Sequence, residues 1–221
     1  TIPSSKERTK LFLITAFLQF KTQSEKVVEK SSFDENKFRL AGEVRRKDAA
    51  LAAEAVLAMA PEIRREEIVK ILNEFPGVGR RFEKITEGVY TDYAHHPEEI
   101  AATMGVVKDE KRLHGKKGIA VVYQPHQNTR QHEVRDGYAR VFNGADKIYW
   151  LPTYLTRENP DLSVLTPTEL ISGLVNKEVA EAAELNDELA EKLQKYVDDN
   201  YLVILMTAGP ADGWLREKFS K

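Results

Sequence analysis

The chain has 221 residues, of which 42% are hydrophobic and 31% charged, and its 33 basic and 35 acidic side chains leave a formal net charge of −2. That balance supports a packed core and argues against disorder. It provides no basic field, which argues against nucleic acid and anionic membrane as partners. Cysteine is absent, which removes disulfides, thiolate chemistry and cysteine-ligated zinc together and suits a cytoplasmic protein. The first residue is Thr1 and not methionine, so the start was processed or the chain is a piece of a longer polypeptide.

In chain order, residues 4–20 are predicted to be helical. The apolar run 11–20 is too short for a bilayer and contains Thr15 and Gln19, so it is a buried helix and not a membrane span. Residues 26–30 and 37–40 are candidates to pair as a hairpin around 31–36. An alanine-rich helix follows over 46–60, then another over 64–75 with Ile68, Ile71 and Leu72 on one face. Pro76-Gly77-Val78-Gly79-Arg80-Arg81 breaks the pattern as a hinge would. The domain boundary falls there, giving a smaller, mainly helical segment over 1–80 and a second domain over 81–221.

From there strands and helices alternate. Residues 88–91 favour β-structure, and Pro97, Glu98 and Glu99 suit the first turn of a helix carrying Ile100, Met104 and Val107 on one face. Residues 118–123 form a continuous apolar run, the mark of a strand buried on both faces. Val134, Tyr138, Val141 and Phe142 trace a helix, and 147–151 a third strand. Thr166-Pro167-Thr168-Glu169 is a capping box with proline at the first helical position, opening a helix to about 174. Residues 179–185 are open between helix and short strand. A helix then runs from Asn186-Asp187 to about 197, a strand covers 201–206 and a closing helix 211–219. Apolar strands alternating with helices define an α/β fold: a Rossmann-like, mostly parallel sheet flanked by helices.

In such sheets ligands bind beyond the carboxyl ends of the strands, and polar residues collect there. The corners are Asp92-Tyr93-Ala94-His95-His96, then Gln124 to Arg130, then Pro152-Thr153-Tyr154, and finally Thr207 to Asp212. Any one of these alone is more often a solvated loop; four on one side point to a site. His114 and His132 read as surface or helix residues. No G-x-S-x-G elbow, H-E-x-x-H, G-x-G-x-x-G or G-x-x-x-x-G-K-[ST] occurs, and adjacent histidines are poorly spaced for one metal. No metal site is expected. Arg80-Arg81 beside glycines can hold an anion.

Gly79-Arg80-Arg81-Phe82-Glu83, Thr91 to Ile100, Tyr123-Gln124-Pro125-His126 with Thr129-Arg130, and Met206 to Asp212 together resemble the Mur ligases. The doubled histidine and the Q-P-H turn are most similar to the branch that joins L-alanine to UDP-N-acetylmuramate. Residues 79–221 would be the C-terminal Rossmann-like domain that carries the amino acid, preceded by the tail of a central ATPase domain. The N-terminal sugar-nucleotide domain and the phosphate loop of the central domain would then be missing partners.

The resemblance implies ATP-driven amide synthesis in bacterial cell-wall assembly, through an acyl phosphate, with ATP and Mg²⁺ as cofactors and the metal ligands outside this chain. It places Arg81, with Arg80 beside it, at the terminal phosphate, Asp92 at the ribose, and Tyr93, His95 and His96 along the cleft between domains, Tyr93 on the ATP side and the two histidines as catalytic residues. His126 and Arg130 would hold the amino acid, L-alanine on this branch. Two departures keep alternatives open. Val44, Arg45 and Asp48 stand where the family has a histidine and two asparagines near adenine, which suits a non-catalytic binding domain derived from a ligase. Gln127 and Asn128 replace an arginine and an aromatic residue after Q-P-H, which keeps a murein-tripeptide recycling ligase open. The fragment alone is expected to be inactive.

Overall fold

The structure, a computed structural model, describes residues 31–220. The chain divides into two compact units, Thr1–Pro76 and Gly77–Lys221.

In the first unit the described residues form two helices, α1 (Glu43–Met59) and α2 (Arg65–Asn73), after a short 3₁₀ turn at Glu35–Lys37. Ala49, Ala50, Ala52, Ala53 and Val56 of α1 are buried, as are Ile68 and Leu72 of α2. Small side chains on α1 let the helices approach closely around Phe33 and Phe38, whose rings lie 6.4 Å apart. The expected hairpin is not seen in its second half. Asp34 caps the 3₁₀ turn by accepting from the Asn36 N–H, and Phe38 is buried just after it. The first half, 26–30, and the predicted helix over 4–20 lie outside the described residues.

The second unit is a six-stranded sheet: β1 (Glu83–Thr86), β2 (Val89–Asp92), β3 (Ile119–Gln124), β4 (Lys147–Trp150), β5 (Ala180–Ala182) and β6 (Leu202–Thr207). Their spatial order is β1-β2-β6-β3-β4-β5. All neighbours are parallel except β1, which runs antiparallel to β2 through a turn at Glu87-Gly88. Gly88 has φ +78°, a conformation that favours glycine. β3 and β6 are buried at every position, as expected for central strands covered on both faces. One face buries Val89, Ala120, Val122, Val203 and Leu205 against Leu189, Leu193, Leu215 and Phe219.

The connecting helices are α3 (Pro97–Leu113), α4 (Asn128–Val134), α5 (Pro167–Ser172), α6 (Asp187–Asp198) and α7 (Ala211–Phe219). The capping box at Thr166 forms, with Thr166 N–H donating to Glu169 at 2.7 Å, and Asn186 caps α6. Of the two options open for 179–185 the structure takes the short strand, three residues at the sheet edge. Three details differ from the sequence reading: β1 is an added edge strand, α4 begins at Asn128, so Arg130 lies in its first turn, and the expected helix around Tyr138 is a 3₁₀ segment, Arg135–Arg140.

Candidate functional site

The parallel register aligns Asp92 with Met206, Tyr123 with Met206 and with Trp150, and Gln124 with Thr207. The corners after β2, β3, β4 and β6 therefore share one edge of the sheet. They divide into a part whose polar groups are paired within the fold, buried Arg80 Nε excepted, and a part with several unpaired groups.

The first part is centred on Asp92, which is 6% exposed. Its Oδ1 accepts from Ala94 N–H at 2.8 Å and Thr103 Oγ1 at 3.1 Å, and its Oδ2 accepts from Phe82 N–H at 2.7 Å. Burial pushes the carboxyl above its ordinary range, with those three donors opposing it. Arg80 (φ +57°) folds back over β6. Its Nη2 donates to the carbonyls of Thr207 at 2.8 Å and Gly209 at 3.2 Å, and its guanidinium lies 4.7 Å from the Tyr93 ring. The turn is closed by Arg216 of α7, which grips Glu83 with two nitrogens at 3.0 and 2.5 Å and Asp212 at 2.9 Å. Those bonds from Arg216 outweigh burial and hold Glu83 below the usual carboxylate range. Burial also opposes ionisation of Asp212, but bonds from Arg216 and Thr91 prevail and lower its pKa. Arg81, by contrast, is exposed, its guanidinium 5.3 Å from the centre of the same tyrosine ring.

The second part is a run of aromatic and imidazole rings. Tyr93 meets His95 edge-on at 5.5 Å, His95 lies 4.8 Å from His96 and 5.8 Å from His126, and His126 lies 5.5 Å from Tyr154. His95 Nδ1 faces Tyr93 O at 3.0 Å and Glu99 Oε2 at 3.1 Å. Two acceptors at Nδ1 fix the proton there and leave a lone pair on Nε2. Burial lowers the His95 pKa, with Arg130 and His96 adding to it and the Tyr93 carbonyl and Glu99 opposing. Burial and the Arg130 charge lower that of His126. Both rings are therefore neutral at pH 7.

Two buried atoms in this part have no hydrogen-bond partner, His126 Nδ1 and Arg130 Nη1. Native folds rarely leave buried donors unsatisfied, and an Arg fork beside a neutral imidazole is suited to a carboxylate. Thr153 Oγ1, in the adjoining β4 corner, is buried and unpaired as well.

The structure thus brings His95, His96, His126 and Arg130 together and sets Tyr93 between them and the arginine pair. Arg80 and Asp92 face inward, the arginine onto carbonyls of the β6 corner and the carboxylate onto the N–H groups of Phe82 and Ala94 and the hydroxyl of Thr103. Sequence reasoning gave no role to Tyr154, whose backbone pairs with the Pro125–Gln127 segment, nor to Glu158, which accepts the N–H of Thr129 at 3.0 Å and of Thr156 at 2.7 Å. Tyr154 was visible as part of a corner; nothing local marks Glu158. Among the described residues no group of three or more His, Cys, Asp or Glu is placed to hold a metal, and no helix is long and apolar enough to cross a membrane.

An open, mostly parallel sheet with polar corners along its carboxyl edge has counterparts among known ligase domains. Residues 80–209 match the family model described as Mur ligase, glutamate ligase domain. The chain belongs to the Mur ligase family. It is 33% identical over 152 residues to a UDP-N-acetylmuramate–L-alanine ligase of Rickettsia felis, covering 66% of this chain and 31% of that protein. A second, from Rickettsia bellii, is 32% identical over 154 residues, again covering 66% of this chain and 31% of the relative. The chain thus spans about a third of the length of these relatives. Among solved structures, the UDP-N-acetylmuramate-alanine ligase of Thermotoga maritima has the same fold, with a TM-score of 0.60 at 21% identity over 82% of this chain and 38% of that one. Folylpolyglutamate synthase of Mycobacterium tuberculosis shares it too, with a TM-score of 0.56 at 18% identity over 83% of this chain and 42% of that one.

Proposed function

We propose that the chain is the amino-acid-carrying part of an ATP-dependent acid–amino-acid ligase of peptidoglycan precursor synthesis, of the UDP-N-acetylmuramate–L-alanine type. The observation that carries this reading is the pair of buried, unpartnered atoms, His126 Nδ1 and Arg130 Nη1. A free α-carboxylate satisfies both, as an Arg fork and an imidazole N–H do in charge-assisted pairs. The amino group then lies on the side of His95, whose Nε2 lone pair accepts the proton that an ammonium must lose to become a nucleophile. His96 lines the same wall.

ATP with Mg²⁺ supplies activation of the acceptor carboxylate. Toward it this chain offers the exposed Arg81 guanidinium against the Tyr93 ring, which fits an anionic phosphate. Arg80 and Asp92 shape that corner through the backbone bonds described above. Metal ligands belong to other parts of the ligase, as does the site for UDP-N-acetylmuramate, and the reaction is placed in the bacterial cytoplasm.

A second reading, a murein-tripeptide recycling ligase, draws on the β3 corner. Asn128, where the family resemblance implies an aromatic residue, spends its side chain on Ser163 O at 3.0 Å and Leu165 N–H at 2.9 Å. The amine pocket therefore differs from the L-alanine pattern.

The test is imidazole NMR on the ¹⁵N-histidine-labelled chain. L-alanine should shift His126 and then His95, with Arg130→Ala abolishing the response. No response to L-alanine at concentrations on the order of tens of millimolar, the weak end of amino-acid affinity, overturns the L-alanine reading. A response to the murein tripeptide alone selects the recycling ligase.

A further inference from the structure

Behind the histidine cluster a buried chain of hydroxyls connects the two corners. Tyr123 Oη lies 3.1 Å from the carbonyl of His95 and 2.9 Å from Tyr138 Oη, and Tyr138 Oη lies 2.8 Å from Gln131 Oε1. Gln131 Nε2 donates to the carbonyls of His126 at 3.1 Å and Gln127 at 3.4 Å. Tyr123, Tyr138 and Gln131 are all essentially buried, at 0%, 1% and 0% exposure.

The protons do not suffice for the contacts. Three oxygen–oxygen contacts link His95 O to Gln131 Oε1, both ends are acceptors, and each tyrosine has a single proton. Turning the Gln131 amide over does not help, because its oxygen would then face two carbonyls. Only two of the three contacts are hydrogen bonds at any moment. If Tyr123 donates to His95, Tyr138 either donates to Tyr123 and leaves Gln131 Oε1 bare, or donates to Gln131 and leaves the two hydroxyl oxygens facing each other. If Tyr123 donates to Tyr138, the His95 carbonyl is bare.

We infer that Tyr123 and Tyr138 are positioning residues whose two shared protons couple the His95 corner to the His126 corner. The inference rests on the amino-acid site proposed above for its functional meaning, though not for its geometry. A proton network with alternative arrangements, each favouring one end, is the physical element that coupling between two sites requires. A ligand seated on His126 alters the pull on Gln131 through the His126 carbonyl, and the protons redistribute toward or away from His95. The aromatic walls keep water out: Trp150 meets Tyr123 and Tyr138 edge-on at 4.9 and 5.3 Å, and Phe142 lies 5.4 Å from Tyr123.

The experiment reads the His95 carbonyl carbon by ¹³C NMR, since carbonyl carbons move downfield as they accept stronger hydrogen bonds. Tyr123→Phe removes the donor and should move the His95 signal upfield. Tyr138→Phe does not touch His95. It removes the competitor for the Tyr123 proton, so the same signal should move downfield. A structural role alone lowers Tm in both variants and gives no opposite signs. A Tyr138→Phe signal that stays put, or moves with that of Tyr123→Phe, overturns the inference. Should either variant fold poorly, the unsubstituted chain in H₂O and D₂O serves instead. Shared protons give the His95 carbonyl an isotope shift that changes with temperature, and a temperature-independent shift overturns the inference.

Function is read separately. L-alanine affinity should fall about fivefold or more in the double variant, the lower range of allosteric coupling, while the His126 imidazole still responds. A chain that binds no L-alanine sinks the proposed substrate and leaves the carbonyl shifts to decide the coupling.

Discussion

Replacing Asp92 with alanine strips an acceptor from three donors that are buried with it, and the consequence can be sized. Phe82 N–H, Ala94 N–H and Thr103 Oγ1 all point at its carboxylate, within 2.7 to 3.1 Å. A buried donor left without a partner costs about 1–3 kcal/mol. Thr103 Oγ1 can turn toward its own helix backbone, so two backbone N–H groups carry most of the penalty. Against this, removing a carboxyl whose ionisation burial opposes returns part of the loss. The net expectation is about 2–3 kcal/mol of unit stability. For a domain of this size that is a Tm lower by roughly 4–12 °C. Asp92→Asn retains one acceptor oxygen, and its loss should be about half, on the same scale of hydrogen bonds. The assay is thermal unfolding followed by circular dichroism, with ATP titrated in parallel. An unchanged Tm for Asp92→Ala together with weakened nucleotide binding would refute the reasoning and return the carboxylate to the ribose.

Four further outcomes follow from the same geometry. Arg216→Met should cost about 1–2 kcal/mol, a figure reduced for partial solvent exposure of the pair, and urea denaturation should show it in full at pH 7 and less as pH falls through the lowered folded-state range of Glu83 and Asp212. Stability should also decline from about pH 6.5 downward, because His95 and His126 have lowered pKa values in the fold and the unfolded chain binds protons first; the stability is present above the unfolded value and lost as pH falls through the folded ones. In the double variant His95→Gln/His126→Gln the decline should begin only in the carboxylate range, and a Tm–pH curve identical to that of the parent chain contradicts it. Arg130→Lys should retain a weaker L-alanine response than the parent in imidazole NMR, since lysine lacks the fork, and equal affinity would place the carboxylate elsewhere. Finally, the chain by itself should release no phosphate from ATP with Mg²⁺, because its sequence has no phosphate loop; measurable turnover in a phosphate assay would show an ATPase site this reading lacks.

Central strands were legible from composition because burial on both faces forces apolar residues at every position, as in 119–124 and 202–207. Edges were not. β1 has the sequence Glu83-Lys84-Ile85-Thr86, with one apolar side chain in four, and its pairing is dictated by the turn at Gly88 and by Arg216 far along the chain. The start of α4 was misplaced for a related reason. Gln127 precedes it at φ +66° without a side-chain cap, so no Ser, Thr, Asp or Asn announces the first turn at the expected place. The helix end is held instead by Glu158, 29 residues away, which no local pattern can reveal.

The polar corners expose a sharper limit of sequence reading. Asp92, Arg80, His126 and Arg130 are the same kinds of residue in the same kind of place, and their names do not say whether the partner is inside the fold or outside it. What separates them is the supply of complementary backbone groups. Asp92 sits where a turn at Phe82 and a helix entry at Ala94 both present N–H groups, so its valence is filled locally. Arg80 finds two carbonyls for its Nη2 where β6 ends, although its buried Nε has no hydrogen-bond partner. His126 and Arg130 flank the start of α4, whose free backbone groups are N–H donors, and Glu158 already takes the Thr129 N–H. Donors facing donors cannot satisfy one another. Glu158 also takes the Asn128 N–H, so what stays unpaired at this corner is Arg130 Nη1 beside His126 Nδ1, the pair on which the proposed carboxylate site rests.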